Sequence, residues 1–321
     1  MKYFLTGIAL LVAAGNAAEP ARAPAVDRAT LIVVMGAPGE AEYGAVFESE
    51  MKAWAAIGTQ AGAKEIAIGA DAGGASDRDR LKQALDAEPK EGAGELWLVL
   101  VGHGTFDGRE AKFNLRGPDV SASELAQWLQ PFKRPVAVID TSSASAPFLV
   151  KLAGANRVVV TSTRSGFEQN YTRFGQFFAE AIADPKSDLD KDGQVSLLEA
   201  FLSAAHRTGE FYKTEGRLVT EHALIDDNGD GLGTPADWFK GVRATKQAKE
   251  GAALDGARAS QFLLVRSAAE RQLTPAARAQ RDELELAVAK LRDAKAKMPE
   301  EAYFQELEKL LLKLAALYDG A

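Results

Sequence analysis

The chain has 321 residues and not one cysteine. Disulfides, thiolate metal sites, lipid attachment through sulfur and a thiol nucleophile are all excluded by that absence. Histidine is almost as scarce, with only His103, His206 and His222. No His-x-x-x-His pair occurs among them, which argues against zinc, and His206 and His222 read as surface or packing residues. Lysine and arginine, 38 together, are outnumbered by 45 aspartates and glutamates. The net charge of −7 and pI near 5.3 do not suit a phosphate-binding surface, so nucleic acid is not an expected partner. No Gly-x-Gly-x-x-Gly or P-loop pattern follows the first apolar run, so no nucleotide cofactor is indicated.

Long apolar runs are missing except at the N-terminus. Met1-Lys2 gives a short positive start, Tyr3 to Ala14 is apolar apart from Thr6 and Gly7, and small residues surround Gly15-Asn16-Ala17-Ala18. This is the layout of a secretory signal peptide over residues 1–18. The run falls short of the ~20 residues of a spanning helix. An exported protein, periplasmic or extracellular and with no membrane segment after cleavage, is the expectation. Residues 19–29, rich in Ala, Pro and Arg, read as a linker.

Beyond the linker, short apolar runs alternate with helical spacings. Leu31-Ile32-Val33-Val34-Met35 ends in Gly36, as a strand buried on both faces would. Phe47, Met51 and Trp54 carry helical spacing. Glu65 to Ile68, Leu96 to Val101, Pro135 to Ile139 and Arg157 to Val160 read as further strands. Ser76 to Leu85, Ser121 to Leu129 and Phe174 to Ile182 read as helices. Ser76 is placed to cap the first of these, and Ser121-Ala-Ser-Glu124 is a capping box. Strands alternating with helices predict an α/β fold, a parallel-rich sheet with helices on both faces, over roughly Thr30 to Lys240. Sites in such sheets lie beyond the carboxyl ends of the strands. That rule points to Gly102-His103-Gly104 and to Asp140-Thr141-Ser142-Ser143. From about Ala244 the composition turns to Ala, Leu, Glu, Lys and Arg. Three helical stretches are expected there, around Leu263–Leu273, Leu284–Leu291 and Leu307–Leu317, with Pro275 and Pro299 as breaks. Residues 244–321 therefore read as a helical appendage, with a coiled-coil hairpin and self-association among its roles.

Asp188-Leu-Asp190-Lys-Asp192-Gly193-Gln194-Val195-Ser196-Leu-Leu-Glu199 meets the twelve-residue EF-hand pattern at its diagnostic positions. Calcium takes six to eight oxygens, so carboxylates recur at positions 1, 3 and 5. Gly193 permits the sharp turn, Gln194 offers its backbone carbonyl, Ser196 can reach the ion through water, and Glu199 closes the site with both oxygens. A second loop runs Asp226-Asp-Asn228-Gly-Asp230-Gly231-Leu232-Gly-Thr-Pro-Ala-Asp237. Asp226, Asn228, Asp230, the Leu232 carbonyl and Asp237 fill positions 1, 3, 5, 7 and 12. Gly233 at position 8 and Pro235 depart from the pattern. Asp237 in place of glutamate resembles the loops of dockerin modules. A calcium site or a pair of Asn-Gly and Asp-Gly turns would both suit this segment. Calcium is the cofactor expected from residues 186–240.

Leu96-Trp-Leu-Val-Leu-Val-Gly102-His103-Gly104 resembles the catalytic-histidine segment of legumain and caspase-like peptidases. In that group the next core strand ends in the catalytic cysteine. The corresponding strand here, Val136-Ala-Val-Ile-Asp140-Thr141-Ser142-Ser143, puts Ser142 at the cysteine position, within one residue, which admits Thr141 or Ser143. Val158 to Gly166 resembles the following strand, which helps shape the substrate pocket. The resemblance covers roughly Leu31 to Ala183 and implies a caspase/legumain-like core over residues 30–185. Serine in place of cysteine is far harder to ionise and needs an oriented general base. Asp107 and Asp140 are the acids nearest in sequence to His103 and Ser142. Three functions are open to such a chain: a silent peptidase-like scaffold or binding module with a protein or peptide partner, a serine-type peptidase or amidase with a Ser142–His103 dyad, or an assembly protein acting through residues 258–317.

Overall fold

The computed structural model describes residues 28–71, 75–251 and 253–319. The signal segment (1–18) and linker residues 19–27 lie outside the described residues. In chain order the elements are β1 (Thr30–Met35), α1 (Ala41–Ala61), β2 (Lys64–Ile68), α2 (Asp77–Ala87) and β3 (Leu96–Val101). Then come β4 (Gly104–Phe106), β5 (Ala111–Phe113), β6 (Val120–Ser121), α3 (Ala122–Leu129), β7 (Val136–Asp140), α4 (Ala146–Leu152) and β8 (Arg157–Thr161). α5 (Phe174–Ala183), α6 (Leu197–Thr214), β9 (Leu224–Asp226), β10 (Thr234–Pro235), β11 (Phe239–Lys240) and β12 (Arg243–Ala244) come next. α7 (Ala268–Gln272), α8 (Pro275–Ala294) and α9 (Glu300–Asp319) end the described chain.

Seven strands form the main sheet in the order β10-β9-β8-β7-β3-β1-β2. β2, β1, β3, β7 and β8 are mutually parallel. β9 runs antiparallel to β8, and β10 antiparallel to β9. Every residue of β1, β3 and β7 is buried, because alternate side chains enter two separate cores. Trp97, Val99 and Val101 face Phe47 and Trp54 of α1, Phe174 and Phe178 of α5 and Phe201 of α6. Leu96, Leu98 and Leu100 face Leu81 of α2, Leu125 of α3 and Phe148 of α4. The α/β class is the one the alternating pattern predicts. Helix starts agree closely: the Ser76 side chain accepts from the Asp79 N–H, and Ser121 and Glu124 form both halves of the capping box.

Several elements go beyond the sequence pattern. The helix expected from the spacing of Phe47, Met51 and Trp54 extends over Ala41–Ala61. β4, β5 and β6 make a small separate antiparallel sheet, and β9 and β10 carry the main sheet past residue 185. One expectation is overturned. Leu263 and Leu264 are not helical; a 3₁₀ turn at Ala259–Gln261 leads into an irregular segment. Their hydrophobicity serves burial: Phe262 and Leu264 join the core beneath α6, and Phe262 meets Trp97 edge-on at 6.0 Å. Pro275 and Pro299 are breaks as expected, the first opening α8 behind a Thr274 cap. α8 and α9 pack side by side, with Tyr303 and Leu310 buried. Among the described residues no helix is long and apolar enough to cross a membrane.

The central position of β3 gives a stability prediction. Leu98 is fully buried, so Leu98→Ala should cost about 2–5 kcal/mol in urea unfolding. Leu312 of α9 is 64% exposed, and Leu312→Ala should change stability by no more than about 0.5 kcal/mol. Similar losses for both would show that the sheet centre is not where stability resides.

Candidate functional site

β3 and β7 are hydrogen-bonded neighbours in parallel register, Leu100 opposite Asp140. They therefore deliver His103 and Ser142 to the same carboxyl edge. The side chains then part company. Gly104 packs so closely on the β7 end that a Cβ there would lie 2.2 Å from the Ser143 carbonyl oxygen and 2.9 Å from Ser142 Oγ. Only glycine permits that approach. Ser142 is wholly buried, and its hydroxyl donates to Asp140 Oδ1 at 2.6 Å, with its backbone N–H on the same oxygen at 3.0 Å. The neighbouring hydroxyls are also committed. Thr141 Oγ1 donates to the Leu100 carbonyl at 2.8 Å and Ser143 Oγ to the Gly104 carbonyl at 3.1 Å. Ser162 Oγ donates to the Ser142 carbonyl at 2.6 Å.

The imidazole of His103 is half-buried among rings. Tyr43 lies 4.8 Å from it, Phe47 5.2 Å and Tyr171 6.3 Å, all edge-on. Desolvation lowers its pKa, partly offset by the bond from the ring to the Pro38 carbonyl. Neither acid considered as its orienter is bonded to it among the described residues. Asp107 is fully solvated and accepts the N–H groups of Arg109 and Glu110. Asp140 serves Ser142, and its Oδ2 is buried without a partner. Burial pushes Asp140 up to about 7. Sequence reasoning missed a second such group, Glu50 of α1. Its Oε2 is also buried without a partner, 2.8 Å from where a Gly175 Cβ would stand, beside Thr141. Burial, then the charges of Glu221 and Glu180, push Glu50 up to about 8. A lone glutamate on a helix carries no pattern that announces this. His222, read as a surface or packing residue, pairs Nδ1 with Glu168 Oε1 at 2.6 Å, while His206 sits on α6.

The two acidic loops fold alike. In the first, between α5 and α6, Asp188 accepts from the N–H groups of Lys191 (2.7 Å) and Gly193 (3.1 Å). Asp190 accepts from Asp192 N–H (3.2 Å), and Asp192 from Gln194 N–H (2.9 Å). In the second, between β9 and β10, Asp226 accepts from Gly229 and Gly231 (both 2.7 Å). Asn228 accepts from Asp230 (2.9 Å), and Asp230 from Leu232 (2.8 Å). Position for position the scheme is the same. Asp188, Asp190 and Asp192 bring one carboxylate oxygen each within 4.8 Å of the others. Burial and mutual repulsion raise the Asp190 pKa, and the same two causes act on Asp192. Three hard oxygens gathered on one side of a turn fit calcium. Glu199, 2% exposed, spans the loop. Its Oε1 accepts from Leu189 N–H (2.7 Å) and Asp190 N–H (3.2 Å), and its Oε2 from the Ser196 N–H and hydroxyl, both 2.8 Å. Val195 is buried in the main core. Gly233 at the matching position of the second loop has no room for a side chain, since a Cβ would lie 2.8 Å from both Leu149 and Leu224. Gln194 sends its side-chain oxygen to Ser267 N–H at 3.0 Å. Asp237 stands in a 3₁₀ turn, lining a cavity with Leu189, Leu202 and His206 of the α6 side.

The buried Glu50 makes stability depend on pH with a definite sign. At acid pH it is neutral in both folded and unfolded states, and well above pH 8 it is ionised in both. Between its ordinary range and about pH 8 the fold holds a proton the unfolded chain has released, so its contribution to stability falls as pH rises. Glu50→Gln should be more stable than the natural chain at pH 8, on the order of 2–4 kcal/mol. The difference should vanish near pH 4. Parallel stability–pH curves for the two proteins would refute the assignment.

No family model matches this chain, and no curated protein matches it. Among solved structures it is similar to the Drosophila initiator caspase Dronc, at 14% identity over 64% of this chain and 81% of that one, with a TM-score of 0.43. It is also similar to caspase-1 from Spodoptera frugiperda, at 9% identity over 63% of this chain and 87% of that one, with a TM-score of 0.42. Protein GSU0716 from Geobacter sulfurreducens is a third, at 13% identity over 63% and 96% of the two chains, with a TM-score of 0.41.

Proposed function

We propose that this chain is an exported calcium-binding protein. In this reading its caspase/legumain-like α/β domain is catalytically silent and serves as a scaffold or binding module for a protein or peptide partner. The observation that carries the silent reading is the commitment of the Ser142 hydroxyl to a buried Asp140. A serine nucleophile needs a base within reach and an open approach. Here Ser142 is wholly buried and has no open approach, the acid within its reach is the equally buried Asp140, and the histidine that the family motif supplies is held by Pro38 and three rings. The calcium reading is supported by the twelve-residue pattern at Asp188–Glu199 and the convergence of its first three carboxylates. Asp226–Asp237 repeats the pattern and supports a second site. The signal-like N-terminus supports export to an environment where calcium is plentiful. The outer side of α9, where Phe304, Leu311 and Tyr318 are exposed at seven-residue intervals, suits self-association.

Calcium should raise the melting temperature, and a chelator should lower it. Cation at a hundredfold excess over Kd stabilises by about 2.7 kcal/mol per site, and Glu199→Gln should remove most of one site's share. An unchanged melting temperature with and without calcium would sink the calcium reading. For the α/β domain, peptide and ester substrates should show no turnover with or without calcium. Ser142→Cys would carry the chain's single thiol, and its buried position predicts alkylation at least about tenfold slower in the folded protein than in urea. Hydrolysis by the natural chain that disappears in both Ser142→Ala and His103→Ala would instead establish a serine hydrolase.

A further inference from the structure

Closure of an EF-hand loop depends on the structure of the chain after position 9. In the first loop Ser196 at position 9 caps α6, which starts at position 10 with Leu197. Position 12 is then the third residue of a helix. It turns back over the loop, and Glu199 satisfies the N–H groups of positions 2 and 3 and the hydroxyl of position 9. The second loop cannot do this. Its position 9, Thr234, and position 10, Pro235, belong to β10 and pair with Ile225 and Leu224 of β9. The chain runs on extended, and Asp237 at position 12 ends up in a short 3₁₀ turn facing α6.

The donors that Glu199 satisfies in the first loop have counterparts in the second, and these converge on a residue outside the motif. Asp227 N–H at position 2 and Asn228 N–H at position 3 donate to Asp255 Oδ1, at 3.0 and 3.3 Å. The Thr234 hydroxyl at position 9 donates to Asp255 Oδ2 at 2.5 Å. Asp255 is 4% exposed and Asp226 is wholly buried. Among the described residues neither is paired with a lysine or arginine side chain; their partners are N–H and O–H dipoles. Donor for donor, Asp255 thus takes in the second loop the place that Glu199 takes in the first.

We propose that Asp255, not Asp237, is the closing carboxylate of the second loop and completes a calcium site with Asp226, Asn228, Asp230 and the Leu232 carbonyl. This rests on the calcium reading proposed above. A site closed from residue 255 also ties down the approach to the C-terminal helices. Asn228 already donates to the Ala253 carbonyl at 2.9 Å, and Asp227 Oδ2 accepts from the Arg258 and Ala259 N–H groups, both at 2.7 Å.

Calorimetric titration of the full chain with calcium chloride tests this. The natural chain should take up two equivalents and Glu199→Gln one. Adding Asp255→Asn to Glu199→Gln should abolish the remaining equivalent or weaken it at least tenfold. Adding Asp237→Asn instead should leave its affinity within about threefold. Circular dichroism verifies folding of each variant. Should Asp255→Asn fail to fold, the Asp237→Asn arm still decides, because loss of the second equivalent there overturns the proposal. Retention of that equivalent in a folded Asp255→Asn variant overturns it as well. Uptake of a single equivalent, abolished by Glu199→Gln, overturns the second site while leaving the first intact. No uptake at all overturns the calcium reading itself.

Discussion

The parallel ladder between β3 and β7 sets the rest of the molecule. Both strands are buried on both faces, so their backbone polar groups must be satisfied by neighbouring strands and their side chains must alternate between two cores. That requirement places β1 on one side and β8 on the other. It also brings the two strand ends, Val101 and Asp140, to one edge of the sheet, where the chain leaves the ladder and hydrogen-bonding groups must find new partners.

How that edge is satisfied explains its chemical character. Hydroxyls of Thr141, Ser142, Ser143 and Ser162 each donate to a nearby backbone or carboxylate oxygen. A dense set of such bonds rigidifies a strand end, and none of these four hydroxyls donates to an imidazole. Asp140 and Glu50 stay buried because a neutral carboxyl costs far less to desolvate than a carboxylate. The left-handed backbone of Ala144, with φ 54°, adds local strain just past the serines, held by its N–H bond to the Glu168 carbonyl at 2.8 Å.

The acidic loops share a hydrogen-bond scheme yet sit on different scaffolds. One leads into an eighteen-residue helix, the other turns between β9 and the edge strand β10. A helix returns its third residue to its own start; a strand does not. Both loops hold the chain that precedes the C-terminal helices, the first through Gln194 and Ser267, the second through Asp227 and Arg258. Leu197 N–H adds a bond to the Phe262 carbonyl at 2.9 Å. The loops and residues 253–267 are thus one packed unit.

Local chemistry decided much of this protein in the sequence alone. The missing cysteine removed thiol chemistry, continuous apolar runs marked β1, β3 and β7, and Ser121 with Glu124 marked the start of α3. The spacing of Asp188, Asp190, Asp192 and Gly193 determined the turn they form, because each acid caps the backbone a few residues ahead. Long-range placement was invisible to such patterns. Leu263 and Leu264 read as helix because apolar spacing does not distinguish a helix face from a buried irregular segment. β4 to β6 and β9 are too short to carry a period. The commitment of Ser142 to Asp140, the burial of Glu50 beside Thr141 and the arrival of Asp255 at the second loop were decided only by packing. Each joins groups whose meeting depends on which helix covers which face and where a strand ends, and no local spacing encodes that.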